Sequence, residues 1–133
     1  MSSSVAFDTN LLLRWILQDI PDQAEQVIAV LKDPSVKEVH IADLAWAEVV
    51  WILHSSRLGY SRKEVSEIAE IILKHPKVNC NRELLAKALP FYVEHPAISF
   101  ADACLATYAE LQGVQLLTFD KKLSRQSKHA RLV

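Results

Sequence analysis

Glycine is nearly missing from this 133-residue chain, which has only Gly59 and Gly113. Glycine-rich phosphate loops and dinucleotide fingerprints need closely spaced glycines, so both are excluded. Only two cysteines occur, Cys80 and Cys104, without metal-ligand spacing or disulfide density, and they read as reduced core residues. The longest apolar stretch, Leu44 to Leu53, is broken by Glu48 and falls far short of the roughly 20 residues of a membrane span. The opening Met1-Ser2-Ser3-Ser4-Val5 has no basic flank and no apolar run, so no secretory signal and a cytoplasmic location are expected. Large charge of one sign is also absent: the net charge is −1.

What is present is a substantial hydrophobic inventory, 50% of residues, at the length of one domain. One domain over residues 1–133 is expected. Charge is unevenly placed. Five basic residues (Lys121, Lys122, Arg125, Lys128, Arg131) and no acid follow Asp120, leaving 10 basic and 16 acidic residues before them. Such a tail beside an acid could hold phosphates, and equally reads as a solvated surface with helix-end charges.

Strand-like and helix-like segments alternate, which predicts an α/β domain with a mainly parallel sheet of four or five strands. Ser4 to Phe7 reads as a strand feeding a helix through Leu17. Pro21 suits the first turn of a second helix, whose Ala24, Val27, Ile28 and Leu31 recur at helical spacing. Val36 to Ile41 reads as a strand, and Asp43 is placed to cap an apolar helix reaching about Arg57, with Gly59 just beyond. Ser61 and Glu64 form a capping-box signature. Lys77 to Cys80 reads as a strand, and Asn81 as the cap of a helix from Arg82 to about Glu94 that Pro90 should kink or divide. Ser99 and Asp102 open another helix, ended by Gly113. Gln115 to Phe119 is a strand, Asp120 caps a short helix, and Ala130 to Val133 adds an edge strand.

Four acids stand out. In open α/β sheets, ligands bind beyond the carboxyl ends of the strands. Asp8 and Asp120 follow strands, Asp102 lies in a first helical turn, and Glu48 lies about one turn into another helix. Convergence of these carboxylates is repulsive without a cation, and hard divalent cations prefer oxygen. Alone, Asp8 and Asp120 are more simply helix caps, and Asp102 is as readily the acid of a capping box with Ser99. Glu48 is surrounded in sequence by apolar residues on every face of its helix, so it is expected to be buried or to point into a cleft. Trp15, Trp46 and Trp51 could line an apolar groove for a partner, although tryptophans at helical spacing are more often core.

At this point the chain resembles the PIN-domain nucleases. Val5-Ala6-Phe7-Asp8-Thr9-Asn10 looks like the family's opening motif, and Trp46-Ala47-Glu48-Val49 resembles the helix bearing its glutamate. Ser99-Phe100-Ala101-Asp102-Ala103 and Leu117-Thr118-Phe119-Asp120-Lys121 match its third and fourth acidic motifs. The four motifs occur in the family's order and span nearly the whole chain. Length and motif style look most like the VapC-type toxin ribonucleases of toxin–antitoxin pairs. Ser99 departs from the acid or asparagine that many relatives carry there, so no fifth acidic ligand is expected, and Pro90 also looks unusual.

The resemblance implies a PIN-like three-layer α/β/α sandwich and a metal-dependent endoribonuclease leaving 5′-phosphate and 3′-hydroxyl ends. Asp8 and Asp102 would be core ligands of Mg2+ or Mn2+, with Glu48 and Asp120 binding directly or through water. Thr118 and Asn10 would orient ligands or the attacking water, and Lys121, Lys122 and Arg125 would bind the RNA backbone. Thr118 also reads as an ordinary strand residue. The resemblance further implies a homodimer and a small cognate antitoxin, with no membrane association. Competing readings are a PIN fold retained as a binding module without activity, a receiver domain, and a haloacid-dehalogenase-type phosphatase. Glu48 within a helix and the lone Asp8 fit the receiver poorly, and Asn10 stands where the phosphatase needs a second aspartate.

Overall fold

The computed structural model describes residues 3–133; Met1 and Ser2 of the opening segment lie outside the described residues. The chain divides into two compact units, residues 1–81 and 82–133.

The first unit alternates strand and helix: β1 (Ser3–Ala6), α1 (Thr9–Leu17), α2 (Pro21–Lys32), β2 (Val36–His40), α3 (Asp43–His54), α4 (Arg62–Leu73) and β3 (Val78–Asn79). Its strands pair in parallel in the order β1-β2-β3. The register sets Val5 beside Val39 and Val39 beside Val78, one apolar row, with Val39 and Val78 buried. Because side chains alternate across a strand, Ser4, Glu38, His40 and Asn79 take the opposite, exposed face. There Glu38 accepts from Ser4 Oγ at 3.4 Å and bonds His40 Nε2 at 2.9 Å. Hydrogen bonds from His40 first and Asn79 next hold the Glu38 carboxyl below its ordinary range.

Local chemistry explains most helix boundaries. Pro21 opens α2 at its first turn, where the missing N–H costs nothing. Ser61 and Glu64 form the reciprocal capping box that starts α4. Asp43 does not cap α3: Ala42 is the cap residue, without a side-chain bond, and Asp43 is already helical. It accepts instead from Asn81 Nδ2 at 3.4 Å. The helix also stops at His54, short of Arg57, where the Ser55 N–H turns back to Ile52. Gly59 then takes φ +73° in the turn that follows.

The second unit contains α5 (Arg82–Glu94), α6 (Phe100–Gln112), β4 (Leu116–Thr118), α7 (Lys121–Gln126) and β5 (Ala130–Leu132). Its two strands pair in parallel, so the five strands among the described residues form a three-stranded and a two-stranded parallel sheet. The α/β class and the parallel pairing are those expected. Pro90 does not divide α5, which runs unbroken through it. Pro90 and Ala86 are both exposed, so the carbonyl that loses its helical partner lies on the solvent side. Tyr92 and Phe100 join α5 to α6 edge to face, with centroids 5.5 Å apart. Ile98, Ala106, Leu123 and Ala130 form a buried cluster with Phe91 and Leu116 packed against it. Gly113 ends α6 in the left-handed region at φ +68°, which glycine adopts without a Cβ penalty.

Among the described residues, no helix is long and apolar enough to cross a membrane. Neither cysteine forms a disulfide, and both are half-buried rather than fully core.

Candidate functional site

Asp8 leaves β1 and caps α1, its Oδ1 accepting from the Leu11 N–H at 2.9 Å. In the second unit Asp120 leaves β4 and caps α7, its Oδ1 accepting from Lys122 N at 2.8 Å and Leu123 N at 3.2 Å. The cap reading therefore holds for both. It does not compete with a ligand role, because each cap uses Oδ1 and leaves the second oxygen, and both carboxylates are exposed.

Asp102 is different. Ser99 caps α6 by accepting from the Asp102 N–H at 3.1 Å, but the reciprocal bond from the Asp102 carboxylate does not form. The half-buried carboxylate is thus not consumed by a capping box.

Of the two expectations for Glu48, burial or a place in a cleft, burial does not hold: the residue is exposed. Leu44, Glu48 and Trp51 sit at i, i+4 and i+7, on one face of α3, and that face is open: Leu44 is 70% and Trp51 75% exposed. The buried side of α3 is carried by Ala45, Trp46, Val49, Val50 and Leu53. The Glu48 carboxylate is held from a distant part of the chain, accepting from Thr9 Oγ1 at 3.0 Å. A residue of the first motif, the sequence neighbour of Asp8, thus positions the acid of the second. Motif matching attached orienting roles to Asn10 and Thr118 and overlooked Thr9, although Thr9 lies inside the motif.

Thr118 Oγ1 accepts from the Asp120 N–H at 3.0 Å and so fixes the turn that presents Asp120. Asn10 is exposed and, with Asp8, lines a groove of about 580 Å³ between α1 and α2. Lys121, Lys122 and Arg125 are exposed on α7. Arg125 also lines a second depression of about 490 Å³ with Lys87, Lys128 and His129, where Glu110 pairs with Lys87 at 3.6 Å.

The tryptophans divide. Trp46 is core, Trp15 is half-buried edge-on to Phe7 and His75, and Trp51 is exposed. Burial first and the nearby Lys77 charge next lower the His75 pKa.

Among the described residues, no group of three or more acids, histidines or cysteines is assembled as a metal cluster. The donors on offer are carboxylate and hydroxyl oxygens, which suit a hard divalent cation. Mg2+ commonly takes only one or two protein carboxylates and keeps several waters, so this donor set fits it.

The geometry defines an α/β protein with aspartates at the carboxyl ends of parallel strands and a glutamate held by the residue that follows the first of them. The PIN domain family model matches residues 5–129, and the chain belongs to the PIN domain family. That membership sets aside the receiver and phosphatase readings. PIN domains are generally nucleases and typically depend on divalent metals. No curated protein matches the chain. Among solved structures, VapBC2 from Rickettsia felis, crystallised with a DNA fragment from its promoter, shares 16% identity at a TM-score of 0.40, the match covering 98% of each chain.

Proposed function

We propose that this chain is a divalent-cation-dependent endoribonuclease of the VapC toxin type, in which Asp8, Glu48, Asp102 and Asp120 serve one catalytic site and residues 1–133 work as one domain. The observation that carries the reading is the Thr9–Glu48 hydrogen bond, which brings the acid of the second motif to the first. The four motifs in family order, within the matched residues 5–129, support it.

Asp8 and Asp102 would hold Mg2+ or Mn2+ directly, with Glu48 and Asp120 binding directly or through water. When bound, the cation supplies Lewis-acid stabilisation of charge on the scissile phosphate and a more acidic attacking water. The rest falls to the chain. Thr9 keeps the Glu48 carboxylate oriented, as groups behind metal ligands commonly do. The two cap bonds fix Asp120, and Thr118 fixes the turn before it. Asn10 would orient a ligand or the attacking water. Lys121, Lys122 and Arg125 attract the RNA backbone, a salt-sensitive contribution. A second copy of the chain and a small antitoxin that covers the acids complete the expected assembly, in the cytoplasm.

Cleavage of end-labelled RNA in Mg2+ or Mn2+, with and without chelator, tests the reading. Wild type should cut internally only with the cation, and Asp8→Asn should not cut. Equal cutting by Asp8→Asn and wild type would refute the assignment.

A further inference from the structure

The groove between α1 and α2 differs in chemistry from the rest of the site. We propose that it seats one unstacked base of single-stranded RNA, the nucleotide next to the scissile phosphate, and that Gln23 and Gln26 read its edge. The proposal rests on the nuclease reading and names a specificity pocket within it.

Position comes first. The groove has Asp8 in its wall, so a phosphate held through a cation at that acid would place its neighbouring nucleotide at or in the groove. Its volume of about 580 Å³ falls in the range of roughly 300–1,000 Å³ usual for small-molecule pockets.

The lining then selects a base over a phosphate. Asn10, Gln23 and Gln26 contribute three amides, each both donor and acceptor, which match the mixed pattern on base edges. Leu11, Ile20 and Val27 supply apolar surface for the face of a flat ring. The charged members are Asp8 and Arg14, and Arg14 Nη1 is already paired with Asp19 at 3.0 Å. Without a surplus of positive charge, the groove has little to offer a free phosphate. The basic depression lined by Arg125, Lys87 and Lys128 is the opposite case.

Arg14 adds a second indication. Its Nε is shut off from solvent with no hydrogen-bond partner, so the guanidinium has donor capacity that Asp19 does not use. A base carbonyl reached by a small rotation of Arg14 would recover that bond, and guanidinium planes also stack on unpaired bases. The far end of the groove is braced. The connection from α1 to α2 is only Gln18, Asp19 and Ile20, with Gln18 in the left-handed region at φ 55° and its N–H returned to Arg14 O.

The test uses the full chain and a panel of short single-stranded oligoribonucleotides that differ in the base at one position. Binding is measured by fluorescence anisotropy in Glu48→Gln protein, and cleavage is measured in the Glu48 protein. Each is repeated with Gln23→Ala and Gln26→Ala together. Both glutamines are exposed on a helix where alanine is well tolerated. The expected result is a preference of about tenfold among bases at one position, largely flattened by the double substitution. An oligomer with an abasic nucleotide at that position should lose the same affinity. Identical preference with and without the glutamines, or no preference at any position, overturns the proposal. Cleavage missing from wild type would sink the nuclease reading alone, because the binding arm still reports on the groove.

Discussion

Residues 1–81 carry 8 basic and 11 acidic side chains, whereas residues 82–133 carry 7 and 5. The two units also present their motif acids differently. In the first, Glu48 is oriented by a side chain 39 positions away in sequence. In the second, Asp120 is oriented by the backbone N–H groups of the two residues after Lys121, directly beside the lysine pair. The difference suggests a division of labour. The first unit offers oriented carboxylates and a nearly neutral amide groove, and the second offers Asp120 followed directly by Lys121 and Lys122.

The sharpest way to break this comparison is to separate the cap role of Asp8 from its ligand role. Asparagine caps a helix as well as aspartate does, so Asp8→Asn should unfold within a few tenths of a kcal/mol of wild type while cleavage falls below detection. Asp8→Ala should lose cleavage and also about 1 kcal/mol of stability, measured by urea denaturation. Equal stability of the two variants would mean that the cap contributes nothing.

Thr9→Val tests the hydrogen bond on which the first unit depends. Losing the hydroxyl frees Glu48 without creating a cavity. Cation affinity or cleavage should fall by about 10- to 100-fold, the usual cost of losing a group that orients a ligand. Titration of Mn2+ gives the answer, and Thr9→Ser should restore most of the loss.

The second unit is probed by Lys121→Ala with Lys122→Ala. RNA affinity should weaken, and the slope of log K against log salt should shrink by about 0.7 for each single-strand phosphate that is no longer neutralised. An unchanged slope would return both lysines to ordinary surface.

The smallest effect is on pH. Bonds from His40, Asn79 and Ser4 lower the Glu38 pKa in the folded chain. The stabilisation they give is present above the unfolded-state carboxyl pKa, and is lost as pH falls through the lower folded value. The stability gap between wild type and Glu38→Gln should therefore narrow as pH falls through the carboxylate range. A gap that widens across that carboxylate range would contradict the sign.

Much of the scaffold is legible in the sequence, because caps and breakers are local. Ser61 with Glu64, Pro21, Gly113 and the aspartates after β1 and β4 all mark the boundaries that the structure places there. The exposure of Glu48 is not legible, because α3 is apolar on both faces and periodicity cannot show which face lies open when Leu44 and Trp51 are exposed. Asp43 misleads for a similar reason: it is a strong cap type one position inside the helix. Thr9 and the groove residues are invisible because their roles depend on tertiary neighbours. Gln23 and Gln26 read in sequence as the solvent face of an amphipathic helix.

The proposal that Asp8 and Asp102 hold the same cation is tested most directly by Mn2+ titration of wild type, Asp8→Asn and Asp102→Asn. Each substitution should weaken the same saturable site by at least about tenfold. Undiminished binding by Asp102→Asn, with wild-type stoichiometry, would contradict the account.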